Sequence, residues 1–469
     1  MERAFTHDWL QWIELNLQRG CDKDGIFRVL LDEGFSHQQI VTQMQYEPSA
    51  DPGTIENPLS VSNQVGRDAK AEAFFQKVRL YRDKIYLPNA RPLDTQLAEL
   101  YVLDDFLDSE ECARLMALIA SQLHDSYIAA TNEEDESFRT SSTCDMGRLD
   151  DPFVKEIDAR ICRMLGVDSS YGEVIQGQHY SVGQEFKAHT DYFEADQYDK
   201  YATAMGQRTY TFFIYLNNVE EGGETEFESL DLVVRPRQGS AIVWNNLDAN
   251  GIPNPNTIHR AHPVRRGEKY VITKWFRALG SAPMYSKEPN EYIHGYTRQG
   301  FCKTRLDPVL FEKLVAFYRE NRNDAVVETI EGDYVRTNEV DSAASTVVEL
   351  PASLKAAIHV SLLNEMNAWS GTLLEPTHVY GIRDYQRGAV LEMHRDRLET
   401  HIISAIINVA QDIHSPWPLC VEDHYYRLHQ VYLEPGEVVF YEGGRLRHGR
   451  PYALDGASFA NIFCHYRPA

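Results

Sequence analysis

The residues of this chain best suited to chemistry lie in the segment Phe186-Lys-Ala-His-Thr-Asp-Tyr192, where His189 and Asp191 stand two positions apart. On a β-strand, residues i and i+2 project to the same side. An imidazole and a carboxylate placed so can hold one cation between them. His259, beyond several strand-like runs, supplies a second imidazole. Two histidines and one carboxylate on one face of an iron ion leave three positions open, which suits a bidentate co-substrate and dioxygen. A lone His-x-Asp is usually a pair of surface polar residues, so its surroundings carry the weight. Lys269 stands ten residues beyond His259, within the β-rich run Lys269-Tyr-Val-Ile-Thr-Lys-Trp275. An ammonium there can pair with the distal carboxylate of a keto acid such as 2-oxoglutarate, whose other end chelates the metal. The plainer reading of Lys269 is an exposed strand lysine.

Around these residues run several ordered segments. They are His179-Tyr-Ser-Val-Gly-Gln184, His189-Thr-Asp-Tyr-Phe193, Gly206-Gln-Arg208, Tyr215-Leu-Asn-Asn-Val-Glu-Glu-Gly-Gly-Glu-Thr-Glu-Phe227 and Pro236-Arg-Gln-Gly-Ser-Ala241. His259-Arg-Ala-His-Pro-Val264 follows, then Gly267-Glu-Lys269 and Lys274-Trp275; upstream lie Asp105-Phe-Leu-Asp-Ser-Glu-Glu-Cys112 and Arg139-Thr-Ser-Ser142. In these segments residues 100–277 resemble the prolyl 4-hydroxylases. The resemblance implies an Fe(II)/2-oxoglutarate-dependent dioxygenase with His189, Asp191 and His259 as catalytic iron ligands. It implies Lys269 as the anchor of 2-oxoglutarate, Tyr180 as a hydrogen-bond partner of that co-substrate, and Arg139 beside the substrate groove. The implied reaction uses dioxygen, with ascorbate as a supporting reductant. It converts 2-oxoglutarate to succinate and carbon dioxide while a C–H bond becomes an alcohol. Halogenases of the superfamily replace the carboxylate with a small residue; Asp191 is retained, which favours hydroxylation. His262 stands where the family often has a small residue or cysteine and is a tempting extra ligand, but the spacing favours His259.

The C-terminal half carries a second His-x-Asp, His394 and Asp396 in Met393-His-Arg-Asp-Arg397, with His448 in Leu446-Arg-His-Gly-Arg-Pro451 as the distal histidine. Leu433-Glu-Pro-Gly-Glu-Val-Val-Phe-Tyr-Glu442 matches the turn and strand that precede His259. Residues 375–468 therefore resemble prolyl-hydroxylase-like domains in general, and a second metal site at His394, Asp396 and His448 is expected. Ten residues past His448 stands Ser458, with no basic residue there; Arg450, Arg383 and Arg467 are the nearby cations. The missing anchor speaks against 2-oxoglutarate binding. The second domain is expected to serve the first, through packing or substrate capture. His401, His414, His424, His429 and His465 read as surface or core residues.

Positioning these groups requires strands in register, and the pattern supplies them. Residues 1–46 read as a small helical module. Trp9, Leu10, Trp12, Ile13 and Leu17 recur at helical spacing before Gly20. A second helix carries Ile26, Val29, Leu30 and Leu31 up to Gly34, and a third opens with a Ser36/Gln39 capping box and carries Ile40 and Met44. Core packing is the expected role of Trp9 and Trp12. Residues 47–95 form a connector with a helix near 67–83. Residues 96–280 form the dioxygenase domain, with helices at Glu110–Leu123 and Pro152–Leu165. The β-rich runs Thr209–Leu216 and Gly239–Trp244 lie within it. Residues 281–305 form a Pro/Gly-punctuated linker compatible with two separately folded domains. Residues 306–469 form the second domain, with helices at Pro308–Arg322 and Leu354–Trp369. The fold class is α+β: two double-stranded β-helix (jelly-roll) domains, each preceded by helices, plus the N-terminal helical module.

Composition narrows the rest. With 46 basic against 70 acidic residues the net charge is −24. That field repels nucleic acid and anionic membrane surfaces, so neither is an expected partner. It tolerates basic or neutral partners, though solubility alone explains it. The seven cysteines (Cys21, Cys112, Cys144, Cys162, Cys302, Cys420 and Cys464) form no CxxC pair and read as reduced thiols. The start, Met1-Glu2-Arg3, lacks an apolar signal region, and no apolar stretch is long enough to span a bilayer. A soluble, cytoplasmic protein is expected. Three substrate readings stand: a prolyl residue in a peptide or protein, a free amino acid or other small molecule, or a binding scaffold with degenerate sites. The intact first constellation argues against the third.

Overall fold

The computed structural model describes residues 22–32, 34–55, 85–93, 95–125, 141–195, 197–202, 204–283, 287–328, 334–340 and 342–469, with positions 5, 9, 10, 13 and 17 besides. Trp12, Gly20, Cys21, the helix expected near 67–83 and Arg139 lie outside the described residues.

The N-terminal module contains helices Lys23–Asp32 and His37–Met44. Ser36 caps the second helix, accepting the Gln39 N–H while the Gln39 side chain accepts the Ser36 N–H. Ile13, Ile26, Phe27, Leu30, Phe35 and Ile40 are buried together, and Trp9 sits edge-on to Phe35 at 5.4 Å.

Fourteen strands follow among the described residues of the first half. These are β1 (Arg91–Pro92), β2 (Leu100–Leu103), β3 (His124–Asp125), β4 (Ser142–Cys144), β5 (Gln176–Tyr180), β6 (Phe186–His189) and β7 (Arg208–Tyr215). They continue with β8 (Glu221–Gly222), β9 (Thr225–Phe227), β10 (Leu232–Val234), β11 (Ala241–Asn245), β12 (His259–Ala261), β13 (Val264–Arg266) and β14 (Lys269–Arg277). Eight of them form one antiparallel sheet in the order β1-β2-β11-β7-β14-β5-β4-β3, and four form a second, β10-β9-β12-β6.

Strand periodicity divides the side chains between two layers. From β7, Tyr210, Phe212 and Ile214 join Tyr270, Ile272 and Phe276 of β14 against helices Ser109–Ser121 and Pro152–Leu165. The alternate residues Tyr215 and Val271 face the smaller sheet, where Phe227, Trp244, Ala261 and Val264 complete the inner core. This two-sided burial explains why Arg208–Tyr215 and Lys269–Arg277 read as near-continuous apolar runs. The helix Ser109–Ser121 lies so close that a Cβ on Gly177 would meet Ile119 at 2.4 Å, so glycine is required by contact with the helix.

In the second half the strands are β15 (Phe301–Arg305), β16 (Val326–Val327), β17 (Val335–Thr337), β18 (Ser345–Val348), β19 (Leu374–Gln386) and β20 (Ala389–His394). The series ends with β21 (Ile403–Ile413), β22 (Leu419–Glu422), β23 (Leu428–Val431), β24 (Glu437–Tyr441), β25 (His448–Arg450) and β26 (Gly456–Pro468). They form a seven-stranded sheet, β15-β24-β21-β26-β19-β18-β16, and a five-stranded one, β17-β20-β25-β22-β23. Helices Pro308–Asn321 and Ala352–Ser370 pack on the larger sheet. β15 falls in the segment read from sequence as linker; it pairs with β24, Phe301 opposite Tyr441.

The two halves share packed contacts. Tyr425 and Tyr426, from the loop after β22, are buried in the core of the first half. The Tyr425 hydroxyl donates to the Asp104 carbonyl at 2.5 Å. Arg163 forms two parallel bonds to Glu422, at 3.0 and 2.8 Å, and covers the Tyr426 ring. No helix among the described residues is long and apolar enough to cross a membrane. Six described cysteines are free thiols.

We predict that Tyr425→Ala lowers stability by about 3–5 kcal/mol, the cost of emptying a buried aromatic site. Tyr425→Phe, which removes one hydrogen bond, should cost about 1 kcal/mol. Denaturant titration of both variants checks this, and equal losses would show that the ring does not fill the core.

Candidate metal centre

The antiparallel pairing of β6 with β12 sets His189 opposite His259. Asp191 follows β6 by two residues, on the same side as His189. Ligand atoms of His189, Asp191 and His259 all lie within 4.8 Å of one another. The Nε2 of His189 is 3.9 Å from Asp191 Oδ1, and the two imidazole rings are 4.3 Å apart.

Each ligand is oriented by its own surroundings. His189 Nδ1 is 2.7 Å from the Lys187 carbonyl and His259 Nδ1 is 2.9 Å from the Thr257 carbonyl. A carbonyl fixes the proton on Nδ1 and leaves Nε2 as the donor to a metal. The Thr211 hydroxyl donates to Asp191 Oδ2 at 2.7 Å, which leaves Oδ1 toward the histidines. Thr211 is held in turn by Asn246 Nδ2 at 2.9 Å, and Trp244 donates to Asn246 Oδ1 at 2.9 Å. Burial works to raise the Asp191 carboxyl, but His259, His189, Arg208 and the Thr211 hydroxyl together hold it below its ordinary range. Phe186 stacks on His189 at 3.6 Å, and Phe227 and Trp244 flank His259.

Lys269 opens β14 opposite Tyr180 of β5. Its ammonium is fully buried and has no hydrogen-bond partner. It sits over the rings of Tyr180 (5.1 Å), Phe213 (5.7 Å) and Tyr215 (5.6 Å). Burial pushes it down to about 7, against the opposing pull of Glu224. A buried, unpaired cation is expensive unless an anion meets it. Tyr180 and Phe213 also line the pocket that holds the three ligands, so the group that fits is an anion reaching from the metal to Lys269. The Tyr180 hydroxyl donates to Gln178 at 3.3 Å.

His262 is turned away from this pocket and bonds Glu226 at 2.7 Å, beside Arg260. The supporting residues Thr211, Asn246, Trp244 and Phe186 were not singled out from sequence. The alternation of β7, which sends Thr211 and Phe213 to one side, was the available signal.

The same geometry recurs in the second half. β20 pairs with β25 so that His394 faces His448, and with Asp396 their ligand atoms also lie within 4.8 Å. His394 Nδ1 and His448 Nδ1 meet the carbonyls of Glu392 (2.8 Å) and Leu446 (3.0 Å), and the Ser404 hydroxyl donates to Asp396 at 3.1 Å. Two histidines read from sequence as surface or core residues, His401 and His465, instead line this pocket, because β21 and β26 bring Ser404 and His465 into register beside Asp396. The others are as expected: His414 is exposed, while His424 and His429 are held by Glu442 and Asp423.

Comparison with known proteins places the first half. A family model described as "2OG-Fe(II) oxygenase superfamily" matches residues 175–277. The chain is 31% identical over 228 residues to "Probable prolyl 4-hydroxylase 6" of Arabidopsis thaliana, covering 43% of this chain and 78% of that protein. It is 33% identical over 201 residues to "Prolyl 4-hydroxylase 2" of the same plant, covering 37% and 66%. A solved viral collagen prolyl hydroxylase from Paramecium Bursaria Chlorella virus-1, in its 2OG complex, is 24% identical with a TM-score of 0.32, covering 38% of this chain and 96% of that one. The chain belongs to the prolyl 4-hydroxylase family of Fe(II)/2-oxoglutarate-dependent dioxygenases.

Two outcomes follow for Lys269. We propose that Lys269 meets the co-substrate as the charged ammonium, whose pKa before binding is about 7. A bound carboxylate raises that pKa, so above about pH 7 binding must take up a proton and affinity falls by up to about tenfold per pH unit. Below that pH the affinity is level. Lys269→Met should weaken 2-oxoglutarate binding by about ten- to a hundredfold and abolish the pH dependence. Calorimetric titration from pH 6 to 9 reads both; a level wild-type profile would contradict the role of the buried ammonium.

Proposed function

We propose that this dioxygenase hydroxylates a prolyl residue in a peptide or protein, using iron held by His189, Asp191 and His259 and 2-oxoglutarate anchored at Lys269. The observation that carries the reading is the buried, partnerless Lys269 ammonium beside the three converging ligands. Family membership supports the prolyl substrate, and so does the match of Arg139-Thr-Ser-Ser142 to the family's substrate-side segment.

When bound, iron(II) supplies oxygen-dependent conversion of 2-oxoglutarate to succinate and carbon dioxide coupled to hydroxylation of a C–H bond. The chain's own residues position that chemistry. The Lys187 and Thr257 carbonyls aim the imidazoles, and the Thr211 hydroxyl aims Asp191. Lys269 fixes the far end of the co-substrate, and Tyr180 is its hydrogen-bond partner in this reading. Phe186, Phe213 and Trp244 exclude bulk water from the pocket, which strengthens each of these contacts. Ascorbate is a supporting reductant in this reading.

We further propose that residues 306–469 form a second, divergent double-stranded β-helix of the same superfamily. Support comes from the matching register, His394 opposite His448 as His189 is opposite His259, and from the matching hydroxyl on each aspartate.

The test offers prolyl peptides and free amino acids with Fe(II), 2-oxoglutarate and ascorbate, and reads mass gain of one oxygen together with succinate. We expect product on prolyl peptides, and none from His189→Ala or His259→Ala. Product on free amino acids alone would replace the peptide reading with the small-molecule one.

A further inference from the structure

The register of the second half shows which residue takes the place of Lys269. Lys269 lies opposite Tyr180 in the first half; Phe459 lies opposite Tyr385 in the second. The count agrees from the other end. Thr211 and Trp275 are partners in the first half, Ser404 and His465 in the second, and stepping back six residues along each strand reaches Lys269 and Phe459. Ser458 points elsewhere, to Asp384 at 2.6 Å. An aromatic ring therefore stands where the first site has its cation.

The complementary change lies on the opposite sheet. Two residues beyond His259, on the same side of β12, is the small Ala261. Two residues beyond His448, on the same side of β25, is Arg450. The cation has moved to the opposite sheet, and an aromatic ring fills the position it left. The Arg450 guanidinium is fully buried, 4.7 Å from the Trp417 ring and 4.6 Å from Phe459. One nitrogen donates to the Trp417 carbonyl; among the described residues Nη2 has no partner and no acidic group pairs with it. Asn461 lies opposite Arg383 and so faces the same interior, and its Nδ2 is also buried without an acceptor. Of the other arginines near the site, Arg383 is held by two 2.6 Å bonds to Glu328, Arg395 by Glu288 and Glu291, and Arg467 by exposed Glu375; Arg397 also lines the cavity. The three metal-ligand side chains line a cavity of about 280 Å³. Arg383, at its wall, donates to the Tyr385 hydroxyl at 3.4 Å.

We propose that His394, Asp396 and His448 bind a divalent metal together with a dicarboxylate of the 2-oxo acid class, and that Arg450 is the anchor for its distal carboxylate. The cation is carried by the histidine-bearing sheet, where the first site draws it from the other. Two histidines and a carboxylate suit iron, cobalt, nickel or zinc. A guanidinium grips a carboxylate through two parallel bonds, and burial makes that contact strong.

The experiment uses full-length protein without oxygen, with Ni(II) and radiolabelled 2-oxoglutarate as probes in equilibrium dialysis. The background is His189→Ala with His259→Ala, so failure of the first-site reading does not affect the result. We expect that protein to retain one nickel and one 2-oxoglutarate per chain. Adding Arg450→Met should keep the metal and weaken 2-oxoglutarate at least tenfold. A thermal melt of Arg450→Met that matches the parent protein reports that the fold survives. A second measurement needs no core substitution. 2-Oxobutyrate has the chelating end but no distal carboxylate, and should bind the background protein at least tenfold more weakly than 2-oxoglutarate. Absence of nickel, nickel without 2-oxoglutarate, or equal binding of the two keto acids would each overturn the proposal.

Discussion

Everything at the first site depends on one strand pairing, that of β6 with β12. It sets His189 directly across from His259, in a sheet where a slip of one residue would turn both imidazoles to the opposite face. The larger sheet is bound by the same rule. β7 must send Thr211 inward to reach Asp191, and β14 must send Lys269 inward to reach the aromatic rings around it. The helices Ser109–Ser121 and Pro152–Leu165 enforce that choice by covering the other face, where Phe212, Ile214 and Ile272 are buried. Packing on the far side of the sheet thus determines the geometry of the ligands on the near side.

Much of this was legible in the sequence because period-two patterning and short motifs are local. His189, Asp191, His259 and Lys269 were identified by spacing and by flanking segments, and the structure brings them together. The helix Pro152–Leu165 was read to its exact ends, since Asp151 caps it and Gly166 closes it in the left-handed conformation. What escaped depends on contacts between distant segments. Asn246 supports Thr211 across two strands, and no motif announces that bond. His401 and His465 looked like scattered histidines because only the pairing of β21 with β26 brings their neighbourhood to Asp396. Counting ten residues from His448 reached Ser458, one short of the equivalent position, because strand irregularities between the two halves shift the count.

The two halves repeat one plan with altered chemistry. Tyr441 pairs with Ser404 where Trp244 pairs with Thr211, and Tyr334 stacks on His394 where Phe186 stacks on His189. The donor set and its hydroxyl support are kept, while the packing residues around them differ. The second pocket is the more polar, with Tyr380, His401 and His465 on its wall.

The placement of Tyr425 and Tyr426 has a consequence for synthesis. All of the first half's strands and ligands have been translated once residue 277 is made, yet its core includes two rings encoded about 150 residues later. Until they arrive, the nascent chain lacks the ring that packs edge-on to Phe106. The core of the N-terminal unit is therefore completed by rings from its C-terminal neighbour.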